Sequence, residues 1–404
     1  MPDLASVRRH LKSAGCYGEK DLTGLRPDDH ALNRIQTAQF VSYAGPLAGH
    51  TRGLHELPGG KRVLITESPK ILIPAPGQWV NLNAVFTGLL GHEDLTQLHT
   101  FYGWLKLAFE CLETGKYRPG QALALAGPRG CGKSLLIDVL RGVLGGRTSG
   151  AYEWLSGRTS FNLSCAGAEL LVVDDKAGSS DPRARAALSA NIKSSLFAGE
   201  VRIEGKHKNA FDCRPIWRLV FALNDEPENL LVLPPLNEDV MDKITLLHCH
   251  RFTLPMPAHT LQEKTLFWKT LEAEIPAFLH WLKSWEIPAH LEEERCGVKH
   301  FHHPLLVEGL QTLAPEIQLW GHIMTEVEAG SITLPCKLTA NELKRILTSP
   351  NAVDCHAARR LLMDWTPACG TYLGRLASSH PERVRKAGKL HGTERWELLQ
   401  QSAF

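Results

Sequence analysis

The chain has no apolar run that reaches the ~18 residues a membrane span needs. Its first residues, MPDLASVRRHLKSAG, lack the apolar stretch of a signal peptide. Ten cysteines are scattered at 16, 111, 131, 165, 213, 249, 296, 336, 355 and 369, and no two lie two to four apart. That excludes a CxxC zinc ribbon and a thioredoxin-type pair. Free thiols in a reducing cytoplasm are the expectation. Neither sign of charge dominates: 45 Lys+Arg stand against 43 Asp+Glu, a net of +2. A polyanionic partner would therefore have to meet a local patch. With 43% apolar and 22% charged residues, the composition excludes disorder, collagen-like repeats and coiled coil as the main architecture. What is there is a soluble-type chain of 404 residues, enough for two to four domains at roughly 100–200 residues each.

Residues 1–94 give few signals. Gly and Pro recur, with short strand-like runs at Arg62–Ile65 and Lys70–Ile73 between them. The role of this segment is open between an oligomerisation collar and a degenerate DNA-binding domain. From Asp94 to Gly115 the spacing turns helical, with Leu95, Leu98, Phe101, Leu105, Phe109 and Leu112 near one face. Within a core taken as residues 95–260, residues 120–255 alternate apolar runs with helical stretches, the pattern of a parallel sheet covered by helices. Residues 261–330 read as a helical region rich in Leu and Trp. Residues 331–404 form a further domain.

Ala122–Ala126 is a short apolar strand. It runs into Gly127, Pro128, Arg129, Gly130, Cys131, Gly132, Lys133 and Ser134, then into the helical Leu135–Leu140. This is GxxxxGKS between a strand and a helix, the context that identifies a phosphate-binding loop. The glycines let backbone N–H groups converge on phosphate oxygens, and the helix adds its N-terminal dipole. Lys133 would reach the β- and γ-phosphates of ATP, and Ser134 would ligate Mg²⁺.

A second buried run, Glu169–Val173, ends in Asp174 and Asp175. Carboxylates at the C-terminal edge of such a strand can hold Mg²⁺ and polarise an attacking water. Asp174 is assigned to the metal and Asp175 to the water, although the two could swap. A third strand, Trp217–Leu223, ends at Asn224, a polar group suited to the γ-phosphate or the water. Just before it, Glu200–Phe211 reads as a β-hairpin with a tip of Lys206, His207 and Lys208, suited to nucleic-acid phosphates.

Four features in order, GPRGCGKS, LLVVDD, the GKHKNAF hairpin and RLVFALN, resemble the superfamily 3 helicases, a branch of the AAA+ ATPases. That group includes papillomavirus and polyomavirus replication helicases and the helicase halves of phage and plasmid primase-helicases. The resemblance covers roughly residues 95–255. It implies a ring, usually a hexamer, with ATP at subunit interfaces and Lys206 and His207 tracking one DNA strand in the channel. It also implies a cation after the sensor strand that acts on the neighbour's ATP. Here Lys243 stands in that place, with Arg218, Arg251 and Arg183 as alternatives. Lys is a point charge without the fork of Arg.

The tail adds a capped helix at Thr339–Leu347, helices near His356–Met363 and Thr371–Ala377, and two strands flanking a Gly-containing turn. From Lys337 to Phe404 there are 11 Lys+Arg against 6 Asp+Glu, a local net of +5. This is a winged-helix pattern, in which Arg375, Arg383, Arg385 and Lys386 would face DNA; docking of a protein is the other use of such a domain. Cys296, His300, His302 and His303 cluster without a clean zinc spacing, and packing is the plainer reading.

The whole reads as an α/β protein: an AAA+ P-loop domain with a central parallel sheet, a helical flanking region and a C-terminal winged-helix-like domain. The expected function is an ATP- and Mg²⁺-dependent DNA helicase or translocase of a phage, plasmid or other mobile element. Nothing resembles a primase, so priming would need another chain. The rival is an AAA+ switch that loads a partner or acts in defence against foreign DNA without processive unwinding.

Overall fold

The computed structural model describes residues 3–399, apart from 39, 92–94, 175–181, 235, 237, 313 and 364. Helices α1 (Leu4–Ser13) and α2 (Pro27–Ala38) lead into strands β1 (Tyr43–Gly45), β2 (Gly53–Leu57) and β3 (Lys61–Ile65). Then come α3 (Val80–Leu90), α4 (Leu95–Thr114), β4 (Ala122–Ala126), α5 (Lys133–Val143), β5 (Thr148–Gly150), α6 (Tyr152–Leu155), α7 (Leu163–Ala166) and β6 (Leu170–Val173). They are followed by α8 (Pro182–Leu196), β7 (Val201–Ile203), β8 (Phe211–Cys213), β9 (Arg218–Leu223), α9 (Pro227–Leu230), β10 (Ile244–His248) and α10 (Leu261–Ser284). The last elements are α11 (Pro304–Thr312), α12 (Pro315–Glu328), β11 (Cys336–Thr339), α13 (Ala340–Leu347), α14 (Cys355–Leu362), α15 (Ala368–Ser379), β12 (Val384–Leu390) and β13 (Thr393–Leu398).

The chain divides into two compact units: Met1–Asn224 with Val232–Phe301, and Asp225–Leu231 with His302–Phe404. In the first, five strands form one sheet in the order β10-β4-β9-β6-β5. Every pairing is parallel. Fully buried parallel strands need continuous apolar faces, and β4 and β9 are buried at every position. Leu123 and Leu125 of β4 pack with Leu136 and Leu140 of α5, Phe101 and Phe109 of α4, and Leu271, Phe278 and Leu279 of α10. Glu263 and Thr260 close a capping box that starts α10. A separate three-stranded sheet, β1-β3-β2, precedes this core.

The expected strand at Lys70–Ile73 is absent: these residues are irregular. Pro69 and Pro74 bracket the run, and a proline has no N–H to give to a ladder. Lys70 N–H instead donates to the Gly145 carbonyl at 3.0 Å. The expected helix from Asp94 is described from Leu95 onwards.

In the second unit, β11-β13-β12 form an antiparallel sheet. Helices α12, α13, α14 and α15 bury Leu319, Trp320, Ile323, Leu343, Leu362, Leu373 and Leu376 against its Trp396 and Leu398. Thr339 and Glu342 form the capping box that begins α13. His391 and Gly392, both with positive φ (49° and 82°), turn β12 into β13. Among the described residues no helix is long and apolar enough to cross a membrane.

Candidate functional site

The phosphate loop leaves the C-terminal end of β4, where Ala126 lies beside Leu223 of β9. This sheet edge is where open α/β sheets bind ligands. Gly127 N–H donates to the Leu223 carbonyl at 3.2 Å. A Cβ at 127 would collide with the Cys249 carbonyl oxygen, and Cys249 is itself pinned by its N–H to Ala126 at 2.7 Å. Gly130 and Gly132 take φ of 77° and 119°, the left-handed region that glycine enters without strain. Lys133 then begins α5.

Lys133 Nζ donates to the carbonyls of Gly127 (2.6 Å) and Pro128 (3.1 Å) and to Asn224 Oδ1 (3.3 Å). Two residues 91 positions apart, taken from separate sequence signals, thus meet at one sheet edge. The arch of the loop is braced from outside by Arg251, whose Nη2 donates to the Arg129 carbonyl at 3.2 Å. Cys131 is buried inside the loop. Its hydrogen bond with Cys249, reinforced by the Lys133 charge, outweighs burial and lowers the thiol to about 6.

Asp174 lies exposed just beyond β6, and Ser134 is exposed in the first turn of α5. Asp175 lies outside the described residues. A hydroxyl and a carboxylate are hard oxygen donors, which suits Mg²⁺ with water completing the shell.

β7 and β8 form the expected antiparallel hairpin. Lys206, His207 and Lys208 at its tip are exposed, and His207 adopts a left-handed φ of 57°. The base of the hairpin is held firmly by a residue that the sequence did not single out. Asn162, buried, donates through Nδ2 to the Arg202 carbonyl (3.0 Å) and accepts from Glu204 N–H at Oδ1 (2.8 Å). Tyr43 stacks on Phe211 of β8 at 4.8 Å.

Lys243 closes a 3-10 turn (Met241–Lys243) before β10. Since Ile244 pairs with Ala122, Lys243 lies at the sheet edge opposite the chain's own loop. Arg218 begins β9, also at that edge, and is buried, so its guanidinium cannot project from the surface. Arg183 falls in α8, with its side chain outside the described residues.

In the second unit, Arg385 pairs with Glu397 (2.7 Å), Arg375 with Glu316 (3.7 Å) and Arg383 with Glu382 (3.6 Å). Lys386 lies over the Trp396 ring at 5.8 Å. Glu382 and Glu397 already stand in the sequence count, so among these acids only Glu316 offsets the local positive charge further. Cys296, set aside in the sequence as packing, is buried, and burial pushes its thiol up to about 11.

A family profile described as a family of unknown function (DUF5906) matches residues 125–235. That span contains the phosphate loop, Asp174, the hairpin and Asn224. No curated protein matches the sequence. Among solved structures, the apo C-terminal region of NrS-1 is similar, with a TM-score of 0.53 at 12% identity, covering 89% of this chain and 85% of that one. A second form of that region gives 0.53 at 12%, covering 98% and 90%. A JCV helicase structure reaches 0.28 at 15% identity, covering 62% and 72%, a likeness too weak to carry an argument. At such identities the NrS-1 likeness speaks for a shared fold alone. The chain is a mixed α/β protein with a central five-stranded parallel sheet of the P-loop type.

Proposed function

We propose that this protein is an ATP-driven DNA helicase or translocase of the superfamily 3 type, serving replication of a phage, plasmid or other mobile element. One observation carries the reading: Lys133 and Asn224 converge at the C-terminal ends of adjacent strands, over a loop that only glycine can build. The strand order supports it too. Numbered along the chain, the core strands run fifth, first, fourth, third, second, so the strands that lead to the loop and to Asn224 are neighbours.

In this reading the N–H groups of residues 127–134 and the Lys133 ammonium bind the phosphates of ATP. Asn224, already within reach of Lys133, orients the terminal phosphate or the attacking water. Asp175 takes up the water's proton. Ser134 and Asp174 would hold Mg²⁺, which neutralises phosphate charge when bound. A cation from the neighbouring subunit, read from the sequence as Lys243, completes each site in a ring, with a hexamer favoured. The exposed Lys206, His207 and Lys208 contact one DNA strand. The element order of the second unit, helix, strand, helices, then two strands around a turn, supports a winged helix that grips or selects duplex.

The test is the ATPase rate with and without single-stranded DNA. Wild type should be stimulated by DNA. Lys133→Ala should be inactive, a loss of at least about a hundredfold. Lys206→Ala should lose most of the stimulated increment. A rate indifferent to DNA in wild type and Lys206→Ala alike would replace the helicase reading with a partner-loading switch.

A further inference from the structure

Two cysteines meet where the phosphate loop touches the neighbouring strand. Cys131 lies in the loop, and Cys249 is the first residue after β10. Both are buried free thiols, and their side chains share a hydrogen bond. Backbone bonds fix both sides of this contact. Cys249 N–H extends the β4–β10 ladder onto the Ala126 carbonyl at 2.7 Å, and Cys131 N–H closes a turn onto the Pro128 carbonyl at 3.2 Å. Cys249 packs so closely that a Cβ at 127 would lie 2.9 Å from the Cys249 Cβ. Two thiols in hydrogen-bond contact need only a short approach to reach the ~2.05 Å of an S–S bond.

The surroundings give the two sulfurs different roles. Lys133 Nζ stands 3.8 Å from Cys131 Sγ. The Cys249 hydrogen bond and this ammonium both favour the thiolate at Cys131, and a thiolate is the form that attacks a peroxide. Cys213, Cys296 and Cys369 stand in the opposite case: burial pushes them up to about 12, 11 and 12. Access to Cys131 follows from the site itself. The ammonium beside its sulfur is the one that the proposed function gives to the phosphates of ATP, and hydrogen peroxide is smaller than a phosphate group.

The loop here spends on itself the groups that phosphate would need. Cys131 N–H is bonded to the Pro128 carbonyl, and Lys133 Nζ to the carbonyls of Gly127 and Pro128. Those bonds have to open before the same donors can turn to phosphate oxygens. A covalent link from Cys131 to Cys249, whose backbone belongs to the ladder, would hold the Cys131 N–H where it is. Resting on the nucleotide-binding reading above, we propose that Cys131 and Cys249 form a reversible oxidation site for hydroperoxides, and that their disulfide keeps the loop closed to nucleotide. In the first step the Cys131 thiolate attacks hydrogen peroxide. An S–O bond forms, the O–O bond breaks, and the leaving oxygen takes a proton from solvent and departs as water. The peroxide is reduced and Cys131 is oxidised to a sulfenic acid. In the second step the Cys249 thiol attacks that sulfur. An S–S bond forms, the S–O bond breaks, and the hydroxide leaves with the Cys249 proton as a second water. A dithiol reverses the link by exchange and is itself oxidised to a disulfide. Such a bond is transient in a reducing compartment, as redox-sensing disulfides are.

The experiment treats the full chain with graded hydrogen peroxide at neutral pH. Cysteines are mapped by non-reducing peptide mass spectrometry, and binding of a non-hydrolysable ATP analogue is measured on the same samples. The first product should be the linked Cys131–Cys249 peptide, lighter than its two parts by two hydrogens, about 2 Da, while Cys213, Cys296 and Cys369 are still reduced. Analogue affinity should fall by at least about tenfold and return with dithiothreitol. Analogue bound beforehand should slow the oxidation of Cys131. Cys249→Ala should form no link and should leave a Cys131 sulfenic acid that dimedone captures. Oxidation of Cys213, Cys296 or Cys369 ahead of Cys131 overturns the site. A linked protein that binds the analogue as well as its reduced form overturns the closure. Wild type that forms the link but binds no analogue even when reduced would instead remove the nucleotide reading, and the closure with it, since mass spectrometry reads the link whatever the loop binds.

Discussion

The phosphate loop and the hairpin tip are both short basic turns, yet they are built in opposite ways. The loop is walled by Cys249, braced by Arg251, and its lysine bonds four acceptors within the chain. At the tip, Lys206, His207 and Lys208 are exposed on a turn closed by the Lys208 N–H to the Gly205 carbonyl, and the side-chain ties lie lower down, where Asn162 holds β7. Transfer of a phosphoryl group depends on donors fixed before the substrate arrives. Contact with a polymer backbone depends on charge delivered at the end of a stiff arm, with no fixed partner at the tip. On the proposed function, the two turns differ because one must hold a geometry and the other must meet successive phosphates.

The sharpest way to break this contrast is Gly127→Ala. The new methyl group would be driven into the Cys249 carbonyl, and backbone on both sides leaves no flexible neighbour to yield. Nucleotide binding should fall below detection by calorimetry, and stability should drop by about 1–3 kcal/mol, the usual range for overpacking. Full binding with unchanged stability would mean that the loop is looser than its packing implies. The next largest effect concerns Cys131. Its thiol is lowered to about 6, whereas burial pushes Cys213 up to about 12. The thiolate is the nucleophile, so the pH profile of Cys131 alkylation, read by peptide mass spectrometry, should have its midpoint near 6 while Cys213 stays unmodified at neutral pH. Cys249→Ala should move the Cys131 midpoint upward, because it removes the hydrogen bond that is the largest cause of the shift. A midpoint near the ordinary thiol value would show that the wall does not reach the loop.

How much of this was legible beforehand depends on sequence separation. The loop, the strands that end before Asp174 and Asn224, and the hairpin were legible because each is a local pattern: glycines at a fixed spacing, an apolar run ending in a polar residue, two alternating runs about a turn. Thr339 with Glu342 announced α13 in the same way. What was not legible were the partners. Cys249 stands 118 positions from Cys131, and Asn162 is 40 and 42 from the groups it holds. No local pattern encodes the order of parallel strands, and it is the pairing of β10 with β4 that brings Cys249 to Cys131. Lys70–Ile73 failed for a different reason: its apolar run is strand-like, but flanking prolines outweigh it. The pairing of Arg375 with Glu316 was not legible either, because that acid lies on α12, outside the stretch whose charge was counted.

A smaller effect tests the stiff arm itself. Asn162→Ala removes both side-chain bonds to the hairpin base and leaves the Glu204 N–H and the Arg202 carbonyl to find new partners. The expected loss is about 1–3 kcal/mol, the cost of stranding buried polar groups, read as lower protection of β7 amides in hydrogen exchange. DNA stimulation of the ATPase should fall although every tip residue is intact. Undiminished stimulation would show that the tip acts without a rigid base.

The smallest effect on stability belongs to the tip. Lys206→Ala with Lys208→Ala should change the unfolding free energy by less than about 0.5 kcal/mol, as exposed substitutions usually do. The same variant should lower the salt dependence of single-stranded DNA binding by a slope of about 1 to 2, one increment of roughly 0.7 for each phosphate that is no longer neutralised. Fluorescence anisotropy across a salt series measures it. Stability and salt dependence thus separate the two turns. A substitution in the loop should be felt by the fold before any ligand is added, whereas one at the tip should be silent until DNA arrives. A tip variant that unfolds the protein, or one whose salt slope does not move, would mean that its cations are structural after all.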